Sequence, residues 1–152
     1  KYRWDVIAIQ DVHYYILPNM KSVSDFYLST ELEMISGPEN CTYGVVFRVR
    51  DDDNFYIFGI SETQNFSIYR VYKGEWETLV DWRKSAAIRQ EYVNRITIVA
   101  QGSHFVFWIN DERVIGIDDD KITKGRNGLT MILYEVGDEA IFEFDNFEVR
   151  EP

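Results

Sequence analysis

A single cysteine, Cys41, stands in the 152 residues, so no internal disulfide can form and a cysteine-based zinc site is excluded. Packing alone must hold the fold. Histidine is nearly as scarce, and His13 and His104 lie in different strand-like stretches with no serine or cysteine nucleophile motif beside them, which argues against a Ser-His-Asp machine. Basic residues are outnumbered, with 16 Lys and Arg against 26 Asp and Glu; the formal charge of −10 repels a phosphate backbone and leaves no basic stripe to offset it. Nucleic acid is not an expected partner. No window approaches the roughly 18 apolar residues needed to cross a bilayer as a helix, and the N-terminus carries no basic-then-apolar leader. Membrane insertion is not expected. Because Lys1 opens directly on a strand-like stretch, as in a mature form or a piece of a longer protein, the compartment stays open, with an extracytoplasmic or secreted one favoured. Sustained helical periodicity is also missing, and candidate helical turns such as residues 84–88 are shorter than an ordinary helix.

What is abundant is apolar and aromatic side chain, 45% and 16% of the chain, in residue types that favour strands. Residues 42–60, TYGVVFRVRDDDNFYIFGI, are the most clearly patterned stretch. Apolar residues recur at every second position on both sides of Asp51-Asp52-Asp53-Asn54, whose residue types favour a turn, so the stretch reads as a hairpin. By that alternation Val45, Phe47 and Val49 point inward and Val46, Arg48 and Arg50 outward; beyond the turn Tyr56, Phe58 and Ile60 oppose Ile57 and Gly59. Residues 26–35 alternate as cleanly, with Phe26, Leu28, Thr30, Leu32 and Met34 on one face and Glu31 and Glu33 on the other. Strands are also expected at residues 66–72 and 76–80 around Lys73-Gly74, at 94–100 and 104–110 around Gln101-Gly102-Ser103, and at 114–117, 129–134 and 141–149. Two short strands precede Pro18, and residues 81–90 are expected to form a loop returning Trp82 and Ile88 to the core. About twelve strands at spacings of roughly 8 to 12 residues fit one antiparallel β-sandwich domain over residues 1–152.

Tyr43-Gly44-Val45-Val46-Phe47-Arg48, Asn54-Phe55-Tyr56, Gly74-x-Trp76-x-x-Leu79, Trp82, Asn94-x-x-Thr97, Phe107-x-Ile109-Asn110, Gly128-Leu129 and Phe144-Asp145-Asn146-Phe147 together resemble bacterial members of the concanavalin A-like lectin/glucanase superfamily. The similarity is to laminin-G-like modules, sugar-binding modules and the domain linked to 3-keto-disaccharide hydrolysis. It implies a two-sheet antiparallel jelly roll, and an accessory module of a larger bacterial protein that binds carbohydrate or polysaccharide, or a protein partner, on a concave sheet or at edge loops. The His-rich and Asn-rich last strand of the keto-sugar hydrolase relatives is not found in residues 140–152.

Aromatic and polar residues supply the candidate ligand-binding set: Arg48, Tyr69, Arg70, Tyr72 and Trp108, with Asn94 as a further polar group and Arg48 the first choice for a contact. Trp76 and Trp82 could also offer stacking faces, but the core reading is favoured for both. Glu31 and Glu33 share a strand face, the arrangement that retaining glucanases of the superfamily use for nucleophile and acid, and they carry the alternative reading of a glycoside hydrolase-like enzyme. The glucanase run has a third acidic residue, where this chain has Ser29 and Ile35 on either side. Asp51, Asp53, Asp118 and Asp120 could offer oxygen ligands to a structural calcium, without the spacing of an EF-hand loop; their alternative is ordinary acidic turns. No other cofactor is expected. The reading is a non-catalytic, carbohydrate-binding module.

Overall fold

The computed structural model describes residues 2–8, 12–18, 21–90 and 92–152, which form twelve β-strands and, among those residues, no helix. In chain order they are β1 (Tyr2–Ile7), β2 (Val12–Ile16), β3 (Phe26–Ser36), β4 (Cys41–Asp51), β5 (Asn54–Ile60) and β6 (Asn65–Tyr72). They continue with β7 (Glu75–Lys84), β8 (Asn94–Gln101), β9 (His104–Ile109), β10 (Glu112–Asp118), β11 (Arg126–Leu133) and β12 (Glu139–Arg150). Two six-stranded antiparallel sheets result, the first ordered β1-β12-β3-β8-β9-β10 and the second β2-β11-β4-β5-β6-β7. Residues 81–84, expected in a loop, extend β7 instead, while Ile88 does reach the core.

The alternating side chains explain the packing. Leu28 and Leu32 of β3, Ile96 and Ile98 of β8 and Phe105, Phe107 and Ile109 of β9 meet Val45, Phe47, Tyr56, Phe58 and Ile68 from the opposite sheet. Phe47 sits at the centre, stacked on Tyr56 at 5.1 Å and edge-on to Phe105 at 5.4 Å, arrangements that suit the ring quadrupoles. A second apolar cluster forms outside this core. Val46, Val49, Phe55, Ile57, Val71 and Ile132 are buried on the outer face of the second sheet, with Tyr15, Leu17, Tyr69 and Tyr134 packed against them.

The alternation of β4 breaks at one residue. Phe47 pairs with Tyr56 but the next pair is Asp51 with Asn54, and across the other neighbour Gly128 faces Val46 while Arg126 faces Val49. On the β11 side one residue is extra, and the positive φ of 49° falls at Arg48. This β-bulge turns Val49 to the outer cluster and Arg48 to the inside, reversing the expectation for both. Asn127 Oδ1 accepts from the Arg48 amide at 3.1 Å, and Gly125 lies so close that a Cβ there would meet the Arg48 carbonyl carbon at 2.3 Å. Only glycine fits.

Candidate functional site: the outer face of the second sheet

The expected ligand set is dispersed over four environments. Arg48 is 0% exposed. Its guanidinium donates to the Ser24 carbonyl from Nε (3.2 Å) and Nη2 (2.8 Å) and to the Ile122 carbonyl from Nη1 (3.0 Å), and lies 4.7 Å over the Phe105 ring. Burial lowers its pKa below the usual guanidinium value, opposed by Tyr56 and Asp25. Arg48 thus ties two loops to the core and does not present itself to a ligand on an outer surface, because the bulge inverted its side. Arg70 is also buried, paired with Asp119 and Glu77, and Asp119 also accepts from Tyr56 Oη at 2.6 Å. Tyr72 packs at the core margin with Lys73 and Lys121 over its ring. Trp108 pairs with Thr97 on the outer face of the first sheet. Asn94 is buried, binding Arg89, Tyr92 and Asn110 to close a loop. Of the five, Tyr69 alone stands on the outer face of the second sheet.

The acidic candidates are separated as well. Asp51 Oδ1 accepts from the Asp53 amide and Asn54 Nδ2, both at 2.9 Å, and these bonds hold its carboxyl below the usual carboxylate range. The Asp53 carbonyl accepts from the Gly74 amide. Asp118 meets His104 Nδ1 at 2.9 Å, and Asp120 is exposed in the following loop. Among the described residues no three His, Cys, Asp or Glu side chains are grouped to hold a metal ion. Glu31 and Glu33 do share a face, opposite Asp145 and Glu143 on β12, over a hollow of about 60 Å³. Glu31 is held by Arg95 at 3.5 Å and by Asn146 Nδ2 at 3.0 Å, on an open sheet face rather than in a cleft.

Sequence reasoning named Tyr69 among the residues that do come together, favoured the core for Trp76, and did not place His13, Tyr15 or Phe55 with them. Trp76, read as core, is 51% exposed and lies on the outer face through its pairing with Val71. Its ring meets Phe55 at 6.1 Å, Tyr69 at 6.2 Å and His13 at 5.4 Å; His13 stacks on Phe55 at 5.5 Å, and Tyr15 lies 5.7 Å from Phe55. These rings come from opposite edges of the sheet. β2 and β7 are its first and last strands, and five spacings of about 4.8 Å would hold them roughly 24 Å apart if it were flat. The contact between His13 and Trp76 therefore requires the sheet to curl toward its outer face. That face is concave.

The floor of the concavity is small and hydroxylic. Cross-strand pairing aligns Tyr15, Thr130, Gly44, Gly59 and Ser67 in one row over β2, β11, β4, β5 and β6. His13 Nε2 lies 2.9 Å from Thr130 Oγ1, and the hydroxyls of Thr42 and Tyr134 share a 2.6 Å hydrogen bond. Burial pushes the Tyr134 hydroxyl up to about 12, so it stays protonated. Ser67 Oγ is buried with no hydrogen-bond partner among the described residues. The signal for this face was in the sequence: Phe55-Tyr56-Ile57-Phe58 is apolar at consecutive positions, as a strand covered on both sides must be.

Two six-stranded antiparallel sheets packed face to face, one of them curled outward, define a jelly-roll sandwich. No protein-family model matches the sequence and no curated protein matches it. Solved structures do match. The carbohydrate binding module CBM66 from Bacillus subtilis superposes with a TM-score of 0.77 at 20% identity, over 93% of this chain and 84% of that one. Sheep galectin-11 gives 0.60 at 9% identity over 93% and 98% of the two chains. The GH43 protein BlXynB from Bacillus licheniformis gives 0.64 at 15% identity over 84% of this chain and 27% of its own. The fold is the concanavalin A-like, galectin-type β-sandwich.

Proposed function

We propose that this chain is a non-catalytic carbohydrate-binding module whose ligand lies on the concave outer face of the second sheet. The observation that carries the reading is the half-exposed Trp76 ring beside Tyr69, above a floor of hydroxyl-bearing and glycine residues. A flat aromatic face suits the C–H face of a sugar ring, and a few fixed hydroxyls suit its edge. With a formal charge of −10 the favoured ligand is uncharged. The carbohydrate binding module and the galectin that share the fold are consistent with this reading, and BlXynB, of which the matched part is 27%, is consistent with an accessory module of a larger bacterial protein. Catalysis by Glu31 and Glu33 has less support, because the pair stands on an open face and Glu31 is already engaged.

An array of neutral oligosaccharides and cell-wall polysaccharides tests the proposal. Binding of at least one glycan class, abolished by Trp76→Ala in a chain that still unfolds cooperatively, is the expected result. A blank array, or binding indifferent to both Trp76→Ala and Tyr69→Ala, would overturn it.

A further inference from the structure

The concave face is roofed. In the floor row Thr130, bonded to His13, and Ser67 are both fully buried although they belong to an outer surface, and Trp76 and Phe55 lie further along the same face. His13 and Tyr15 reach from β2 across the face onto Phe55 and Trp76, and the Tyr15 hydroxyl donates to the Asp52 carboxylate at the β4–β5 turn. A ligand that lies along the floor between Trp76 and β2 has to part these rings. The element best placed to yield is β2, a five-residue edge strand, whereas β7 at the other edge has ten residues.

We propose that His13 and Tyr15 form an aromatic latch across the concave face, and that the ligand-competent form of the protein is the one in which β2 releases Phe55 and Trp76. The sugar-binding reading supplies the purpose of the latch, while the latch itself is a property of the unliganded chain and is measurable without any sugar.

Acidity is the expected trigger. His13 is packed against Tyr15, Phe55 and Trp76 and bonded to Thr130, and burial holds its imidazole down to about 4. The closed latch favours neutral His13. Released into water, the ring titrates near its ordinary value of about 6.5, so between about pH 6.5 and pH 4 only the open form takes up the proton and acidification drives opening. Above that window pH has no leverage. The titratable and charged groups around the latch are Tyr15 on β2 itself, raised to about 12 chiefly by burial, Asp51 and Asp52 at the β4–β5 turn, and Arg126 at the start of β11. From β5 and β7 the contacts are Phe55 and Trp76, which do not titrate.

The test uses the full chain with Trp4→Phe, Trp82→Phe and Trp108→Phe, which leaves Trp76 as the only tryptophan. Acrylamide quenching of its fluorescence is read at about pH 7.5 and about pH 4.5, the two sides of the histidine window. Quenching is expected to rise by up to about twofold on acidification, to stay at the parent's neutral level at both values in His13→Phe, which keeps a ring but cannot take a proton, and to be raised at both in His13→Ala. Hydrogen exchange of the β2 amides in the chain with all four tryptophans repeats the comparison without the fluorescence background. Equal quenching in the parent and His13→Ala at neutral pH, or an acid rise that survives in His13→Phe, would overturn the latch. A blank glycan array beside an intact acid response removes the ligand class alone, and the reverse pattern removes the latch alone.

Discussion

Arg48 shows how one residue can mislead and inform together. A charged residue between two valines in an alternating strand points outward by every local rule, and a bulge is invisible to that rule because it is fixed by the neighbouring strand. Here Gly125 and Asn127 on the β11 side set it, and the guanidinium ends up in the sandwich satisfying the Ser24 and Ile122 carbonyls. Arg48→Met leaves these buried acceptors without their donor, so a loss of about 3 kcal/mol or more is expected. For a chain of this size that is a fall of roughly 6–12 °C in melting temperature, read by calorimetry. A variant as stable as the parent would show the guanidinium to be dispensable. Cys41 gives a second prediction at this scale. Burial, with Glu62 and Asp138 adding to it, pushes its thiol up to about 12, so it stays protonated across the range where free thiols react. A disulfide reagent at about pH 8 is expected to leave the folded chain unlabelled and to label it fully in denaturant.

The β4–β5 hairpin is the element most legible in the sequence, and its turn at residues 51–54 falls where the acidic run predicts. What the alternation did not convey is how tightly its outer side is packed. A Cβ on Gly59 would meet Thr42 Cγ2 at 2.2 Å, with the Thr42 hydroxyl fixed on Tyr134. Gly59→Ala should therefore cost about 2 kcal/mol through overpacking. Adding Thr42→Ser removes the methyl while retaining the hydroxyl, and is expected to restore most of that loss in chemical denaturation. Additive effects of the two substitutions would place the strain elsewhere. β7 carries the complementary lesson. Trp76 was read as core because large aromatics fill sandwiches, but its pairing with Val71 commits it to the outer side, and pairing partners are not visible in a single segment.

At the scale of the molecule, twelve short strands and the absence of helical period led directly to a two-sheet sandwich. The curl of the second sheet did not follow from any strand, since it depends on rings from β2 and β7, more than sixty residues apart in sequence, meeting across its face. The curl also buries one group whose titration couples the fold to acid. With its pKa depressed to about 4 in the folded chain, His13 binds its proton more readily when unfolded, so its contribution to stability is fully present above about pH 6.5 and is lost as pH falls toward 4. Urea midpoints measured across that range should decline less steeply in His13→Phe than in the parent; identical slopes would mean that His13 is already solvated.

Trp76 stands on the outer face of the second sheet and Trp108 on that of the first, and this gives the most direct test of the site. Isothermal titration of the best-binding neutral glycan from the array into the parent, Trp76→Ala and Trp108→Ala is the measurement. Loss of stacking should weaken Trp76→Ala by roughly tenfold or more, worth about 1.4 kcal/mol, with Trp108→Ala unchanged. Weakening confined to Trp108→Ala would place the ligand on the opposite sheet and contradict the assignment.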